Sequence, residues 1–471
     1  MRWICILLPH LALDGVLRSR ADPAAPLVLV GGPAQRRVLL AANPAARARG
    51  LRAGQPLAAA QAISRDFVAI DHDPAEAAGW HRFLGAWAYG FSSQVSLQYP
   101  GALLVEIGAS LSLLGPWPRL EARLRRELTA LGFRHRIVAA PQPAAARVLA
   151  NAHDGLALPG VEAMRRALAQ MPVERAGLPR EVATACARMG LVRLGQVLAL
   201  PRESIARRFP AEVLRHLDAV TGDRVPALES YAPPDRFDAR IEFGFEVTAT
   251  PALAFPLKRL TADLAAFLAG RDGGVQRFVL QLEHAGAAAT EVPVGLLSTE
   301  RDAAMLLEMA RVRLERVPAL APVQALRLVA HELPAFVPAH RELFDERPQQ
   351  TLPWPQLRER LRARLGDAAV HGLRSRADHR PERAWQPEDE AGRTPPAAAS
   401  PRPGWLLARP LPLREAVAAI LAGPERIESG WWDGGDVRRD YYRVATAAGP
   451  QAWAWRPAGE DGPLMLHGWF A

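Results

Sequence analysis

Arg240-Ile241-Glu242-Phe243-Gly244-Phe245-Glu246-Val247-Thr248 opens the stretch that decides the fold. Apolar and polar residues alternate in it, the two-residue period of a strand with one buried face. Leu257, Leu260, Leu264 and Phe267 follow at helical spacing. Val275 to His284 alternates again, and Glu291 to Leu296 after it. Leu306, Leu307, Ala310 and Leu314 mark a second helix, with Ser298 or Thr299 as its expected N-cap. Gln324 to Leu333 reads as the last strand. The order βαββαβ predicts a compact split sheet with two helices on one face.

Upstream, residues 178–221 are helical, short-looped and basic. Gly190-Leu191-Val192-Arg193-Leu194-Gly195 separates two helical patterns, and Arg202, Arg207 and Arg208 follow. This reads as a helix-hairpin-helix unit, whose backbone N–H groups can hold a DNA phosphate. An ordinary helical turn with glycine as its C-cap has the same appearance. Arg193, Arg202, Arg207, Arg208 and Arg277 are the candidate contacts to a DNA backbone, each equally readable as a solvated arginine. Nearer the N-terminus, the apolar runs Trp3 to Leu8, Leu27 to Val30, Val38 to Ala41, Leu103 to Ile107 and Arg136 to Ala140 alternate with helical patterns. The fold class expected is therefore α/β, an α+β multidomain chain.

At 471 residues the chain has room for several domains. Its formal net charge is +9, and Lys258 is the only lysine. A basic surface binds nucleic acid through counterion release, and the planar guanidinium suits phosphate. A GC-rich genome would also favour arginine over lysine, but it does not account for the sign of the charge. Cys5 and Cys186 form neither a disulfide framework nor a zinc spacing, which fits a reducing cytoplasm. No apolar run reaches about 18 residues, so a membrane span is not expected. Neither a phosphate-binding Gly-Lys loop nor any other cofactor signature occurs, so no cofactor is expected. Asp71, His72 and Asp73, or His331 and Glu332, could suggest a metal, but acids and histidines at strand ends are usually solvated.

The element order resembles the Y-family translesion DNA polymerases over roughly residues 1–345. The best local match is Ala41-Ala42-Asn43 through Arg47, Gly50-Leu51 and Gly54. Relatives carry Tyr and Arg there against an incoming triphosphate; here Pro44 replaces the Tyr and Arg47 remains. Ala140-Pro141 through Arg147 is a second match, with Arg147 where relatives carry a phosphate-directed lysine. The resemblance thus implies a vestigial nucleotide site at Arg47 and Arg147. It also implies metal-binding carboxylates, yet the aligned positions hold Leu7, Pro9, Gly101 and Ala102. None of these side chains can bind magnesium, which takes hard oxygen ligands. Asp14 and Glu106 lie nearby in sequence, but Glu106 falls several residues beyond the expected pair.

With those losses, the chain resembles the ImuB family, polymerase-like members of bacterial mutasomes. Gly423-Pro424-Glu425-Arg426-Ile427-Glu428-Ser429-Gly430-Trp431-Trp432-Asp433, then Arg439-Asp440-Tyr441-Tyr442 and Leu466-His467-Gly468-Trp469-Phe470, carry that resemblance. It implies a non-catalytic scaffold in DNA-damage-induced (SOS) translesion synthesis and mutagenesis, cytoplasmic and nucleoid-associated. Its implied partners are primer-template DNA, the sliding clamp, a DnaE-type error-prone polymerase and the RecA-like protein ImuA. The rival readings are an active Y-family polymerase with displaced carboxylates and a plain helix-hairpin-helix DNA-binding protein.

Gln349-Gln350-Thr351-Leu352-Pro353-Trp354 fits a clamp-binding peptide, with Gln349 as polar anchor and Leu352 and Trp354 as apolar ones. Trp431, Trp432, Tyr441 and Tyr442 are candidate partner anchors, or else the core of a small β module. The expected domains are a palm and fingers-like region at 1–177 and a helix-hairpin-helix thumb-like region at 178–232. A little-finger-like βαββαβ domain at 233–345 follows, then the clamp peptide and a helix at 346–373. A flexible linker at 374–404 and a partner-binding module at 405–471 complete the chain.

Overall fold

A computed structural model describes residues 3–317, 321–337, 354–366, 369–376, 378–388 and 401–470. The chain divides into two compact units, Met1–Arg360 and Leu361–Ala471.

The first unit begins β1 (Trp3–Leu7), α1 (Leu11–Arg18), β2 (Leu27–Gly31), β3 (Val38–Ala42), α2 (Pro44–Ala48), α3 (Leu57–Ile63), β4 (Val68–Asp71) and α4 (Pro74–Tyr89). It continues β5 (Val95–Ser96), β6 (Ala102–Glu106), α5 (Leu111–Leu114), α6 (Trp117–Leu131), β7 (Arg136–Ala140), α7 (Pro143–Leu149), β8 (Leu156–Ala157) and α8 (Val161–Gln170). Two sheets result, ordered β5-β6-β1-β7-β8 and β3-β2-β4. The central strands of the larger sheet are buried throughout, so they read as apolar runs without alternation. One face packs on Ala144, Ala145, Ala146, Val148 and Leu149 of α7. The other packs on Leu84 and Trp87 of α4 and on Leu120, Leu124 and Leu128 of α6. The suspected metal residues have local roles instead: Asp71 pairs with Arg37, and Asp73 caps α4 by accepting from the Ala75 N–H.

Helices α9 (Arg180–Arg188), α10 (Leu194–Leu198), α11 (Arg202–Arg208) and α12 (Ala211–Thr221) extend the α7 side of that core through Val182, Cys186, Val197, Ile205 and Leu217. Then come β9 (Phe237–Val247), α13 (Ala254–Gly270), β10 (Val275–His284), β11 (Ala287–Glu300), α14 (Ala303–Glu315) and β12 (Val323–Ala330). All pairs are antiparallel in the order β11-β10-β12-β9, the expected split sheet. Strand β11 runs on through Ser298 and Thr299, so neither caps the helix; Asp302 does, accepting from the Met305 N–H. Helix α15 (Trp354–Leu365) ends this part, with the Glu359 carboxylate accepting from the Leu297 N–H of β11.

The split sheet is joined to α1 and α4 by a buried pair. Arg18 and Asp263 are bidentate, with side-chain exposures of 0% and 1%. The Arg18 Nε also donates to the Leu131 carbonyl at 2.6 Å, and its guanidinium lies 4.7 Å from the Trp80 ring centre. Gly270 packs so closely on α4 that a Cβ there would stand 2.0 Å from the Ala86 carbonyl oxygen.

The second unit holds the hairpin β13 (Gly372–Ser375) and β14 (Trp385–Glu388), then β15 (Trp405–Pro412), β16 (Val417–Ser429), β17 (Val437–Thr446), β18 (Gln451–Pro457) and β19 (Met465–Phe470). The five-stranded sheet is ordered β15-β19-β18-β17-β16. The described part of the expected 374–404 linker is therefore structured. Arg380, 2% exposed at its side chain, binds both Asp378 and Asp433 there, at 2.8 and 2.7 Å. Tyr441 and Tyr442 are also corrected: they are 1% and 7% exposed and belong to the core. Strand β17 is paired on both sides, which seats them inside the sheet. Tyr441 stacks on Trp453 at 4.1 Å and shares a 2.7 Å hydrogen bond with His467 Nδ1.

Candidate functional site

Antiparallel pairing sets Leu7 opposite Ala102 and Trp3 opposite Glu106. Cys5, Leu7, Ala102, Leu104, Val138 and Ala140 then form one apolar floor beneath α7. Burial drives the Cys5 thiol up to about 12, eased slightly by Arg147. Gly101 turns the chain into β6 with φ of 65°, and its carbonyl accepts from the Leu8 N–H at 2.8 Å. Both rescue acids are engaged elsewhere. Glu106 lies four residues along β6, about 13 Å from Ala102, and its carboxylate accepts from the Gly108 N–H. Asp14 accepts from the Arg134 backbone N–H and Nε at 2.9 and 2.7 Å. Among the described residues no three His, Cys, Asp or Glu side chains form a group that could hold a metal. The floor does not fit magnesium, which requires oxygen ligands.

Pro9 instead lines a cavity of about 630 Å³ with His10, Leu40, Arg47, Arg52 and His72. Asn43 builds its wall: the amide caps α2 and also bonds Leu27 and Ala25, which leaves Arg47 exposed in the first turns. Burial lowers the His10 pKa, and Arg134, Arg47 and Arg136 lower it further against the opposing pull of Asp14. Arg147 stands on a different wall. Its Nη1 donates to Asn151 Oδ1 at 2.5 Å, and its guanidinium carbon lies 5.9 Å from the Tyr99 ring centre. The Asn151 carbonyl accepts from Arg136 at 3.0 Å and from Arg175 at 3.4 Å. Asn151 thus gathers three arginines, an arrangement the sequence reading missed. The four-residue step from Arg147 in α7 to Asn151 in the turn after it was its only signal.

The hairpin donors expected to meet phosphate have protein partners. Gln196 Oε1 accepts from the Val192 and Arg193 N–H groups at 2.9 Å each, and the Leu194 N–H donates to the Met171 carbonyl at 2.8 Å. Gly190 is the left-handed cap of α9, at φ of 79°. Gly195 serves packing, since a Cβ there would lie 2.9 Å from the Ala169 carbonyl oxygen. Arg202 is bidentate with Asp218 at 2.5 and 2.9 Å, Arg193 bonds Gln170, and Arg207 sits 3.6 Å from Glu203. Arg208 and Arg277 are exposed and have no acidic partner among the described residues. The structure scatters these candidates over two regions.

Gln349 and Leu352 lie outside the described residues; Trp354 begins α15 and is 63% exposed. Trp431 and Trp432 are 77% and 60% exposed, edge-to-face at 5.5 Å. Their neighbours in the aromatic block have structural roles: Glu425 pairs with Arg402, Arg426 with Asp440, and Asp433 with Arg380 and Arg383.

An α/β sheet region, a four-helix insert and a split βαββαβ sheet, in this order, define a Y-family polymerase-like fold. The impB/mucB/samB family model matches residues 18–151. Protein ImuB of Caulobacter vibrioides, from strain NA1000 / CB15N and from strain ATCC 19089 / CIP 103742 / CB 15, is 30% identical over 466 residues, covering 89% of this chain and 100% of that protein. Among solved structures, DinB from Sulfolobus solfataricus aligns with a TM-score of 0.41 and 13% identity over 72% of this chain and 100% of that one. A post-insertion binary complex of Dbh DNA polymerase gives 0.41 and 13% over 70% and 98%. The chain belongs to the ImuB family.

Proposed function

We propose that this chain is a non-catalytic scaffold for translesion synthesis induced by DNA damage. The observation that carries the reading is the apolar floor of Cys5, Leu7, Ala102 and Leu104 where a two-metal transferase needs carboxylates. Arginine-rich walls around it support a hold on primer-template DNA without sequence preference, through phosphates. Arg136, Arg147 and Arg175, grouped on Asn151, are the best-placed contacts, with Arg208 and Arg277 as outlying ones. Arg47 and Arg147 are remnants of a nucleotide site.

In this reading Gln349, Leu352 and Trp354 tether the chain to the sliding clamp. A DnaE-type polymerase performs the synthesis, an ImuA-like RecA relative completes the assembly, and the exposed Trp431 and Trp432 are its anchors. The setting is the cytoplasm, at the nucleoid; no helix among the described residues is long and apolar enough to cross a membrane. Primer extension on damaged and undamaged templates tests the reading. The expected result is no incorporation with magnesium or manganese, alongside salt-sensitive DNA binding. Incorporation that Glu106→Ala abolishes would sink it.

A further inference from the structure

Strand β9 is the outer strand of the split sheet, eleven residues long and paired, among the described residues, only with β12. Its free edge borders a cleft of about 650 Å³ whose opposite wall is α4. Such an edge presents unpaired N–H and C=O groups and is a template for another chain. Trp80, Phe83, Phe237 and Phe267 line the cleft and give it an apolar floor. Asp263 lines the cleft beside that floor, and its partner Arg18 lies against Trp80 of α4, so α1, α13 and this wall are held together.

The charges lining the cleft are unequal in availability. Asp263 is bound to Arg18, Asp238 is bidentate with Arg327, and Glu76 accepts from the Trp80 indole. Arg240 is held by Glu242 and Glu283. Arg82 and Arg236 have no acidic partner among the described residues. Gly79 adds an independent observation. It lies inside α4, where glycine costs about 1 kcal/mol relative to alanine, yet a Cβ there would meet nothing within 4 Å. The helix keeps open space on the cleft wall.

We infer that the cleft between α4 and the β9 edge binds an extended peptide segment of a protein partner by strand addition, apolar side chains on the aromatic floor and acidic ones at Arg82 and Arg236. A free strand edge pairs with peptide backbone and has no matching partner in a nucleotide chain. This site goes beyond the scaffold reading and does not depend on it.

The test uses the full chain and a fluorescent peptide that alternates leucine with aspartate. Saturable binding is expected, weakened by about tenfold or more when alternate backbone nitrogens are methylated, since side chains then remain while strand pairing fails. Gly79→Trp fills the open space and removes a helical glycine, so its melting temperature should hold while peptide binding falls by a similar factor. Arg82→Glu with Arg236→Glu should weaken binding with the melting temperature unchanged. Absence of saturable binding overturns the inference, as does binding indifferent to both variants. Capture of a single-stranded oligonucleotide that Gly79→Trp abolishes would give the cleft to nucleic acid and also overturn it.

Discussion

Residues 361–471 carry 15 arginines and 14 acidic residues, and among the described ones several form close pairs. Arg380 is enclosed by Asp378 and Asp433, Arg402 by Glu425, and Arg426 by Asp440. Of the chain's 58 basic and 49 acidic residues, that leaves 43 and 35 to residues 1–360, so nearly all of the +9 lies there. Arg47, Arg52, Arg82, Arg208, Arg236 and Arg277 of that unit have no acidic partner among the described residues. Arginine thus does two jobs: in both units it closes internal ion pairs, and in the first, which carries nearly all the net charge, exposed arginines are left available to anions.

The sharpest way to break this contrast is at the pair Arg18–Asp263, the one fully buried ion pair of the first unit among the described residues. Asp263→Ala strands the Arg18 guanidinium away from water, and breaking a buried pair costs about 3–5 kcal/mol. A large drop in urea midpoint is expected, with protease sensitivity between residues 222 and 236. Arg18→Met with Asp263→Leu should recover much of the loss, because apolar replacement of a whole pair is often neutral. A single variant as stable as the parent would show that packing at Gly270 alone holds the seam.

The next effect is on DNA. Replacing Arg136, Arg147 and Arg175 with glutamine should weaken duplex binding by about 10- to 100-fold at moderate salt. The slope of log affinity against log salt should fall by about 0.9 for each phosphate left without its arginine. Three matching replacements at Arg402, Arg426 and Arg456 should leave that slope alone. Equal losses from both sets would dissolve the distinction between the units.

Much of this was legible in the chain and some was not, for physical reasons. The split sheet was readable because half-buried strands alternate and its helices carry leucines at regular spacing. The pairing of Leu7 with Ala102 in one apolar floor was readable because both lie in short apolar strands. The Arg18–Asp263 pair was hidden, because its members are 245 residues apart and each looks like an ordinary helical charge. Adjacent aromatic pairs are equally deceptive. Trp431-Trp432 and Tyr441-Tyr442 look alike in sequence, yet the first pair sits in a turn and the second in a strand paired on both sides. Ser298 failed as a cap because β11 continued through it, and strand length is weakly encoded at an exposed edge.

A smaller effect separates the units by pH. Hydrogen bonds from Arg380 hold the Asp378 carboxyl down at about 2 and depress Asp433 as well. Unfolded aspartate titrates near ~4, so these groups bind fewer protons when folded. Their contribution is complete above the unfolded value and is lost as pH falls through the folded one. Melting of the second unit should therefore decline from about pH 4 toward pH 2. Asp433→Asn should flatten that decline while lowering stability at neutral pH.

The smallest expected change sets the two aromatic pairs against each other within the second unit. Tyr441→Phe keeps the ring on Trp453 and removes the hydroxyl that meets His467 Nδ1 at 2.7 Å and accepts from Arg439 Nη1 at 3.1 Å. Each such hydrogen bond contributes about 1 kcal/mol, so a shift of several degrees in melting is expected. Burial lowers the His467 pKa, so its ring is neutral near pH 7 and one nitrogen can accept from the hydroxyl. Trp431→Ser with Trp432→Ser removes far more apolar surface, yet from solvent, so stability should stay within about 0.5 kcal/mol. The order of these two outcomes is the informative part. If removal of two indoles unfolds more than removal of one oxygen, then Trp431 and Trp432 are packing residues and their exposure is no sign of a partner. If the order holds, they are free to meet one, and loss of complex formation in the serine variant identifies what they serve.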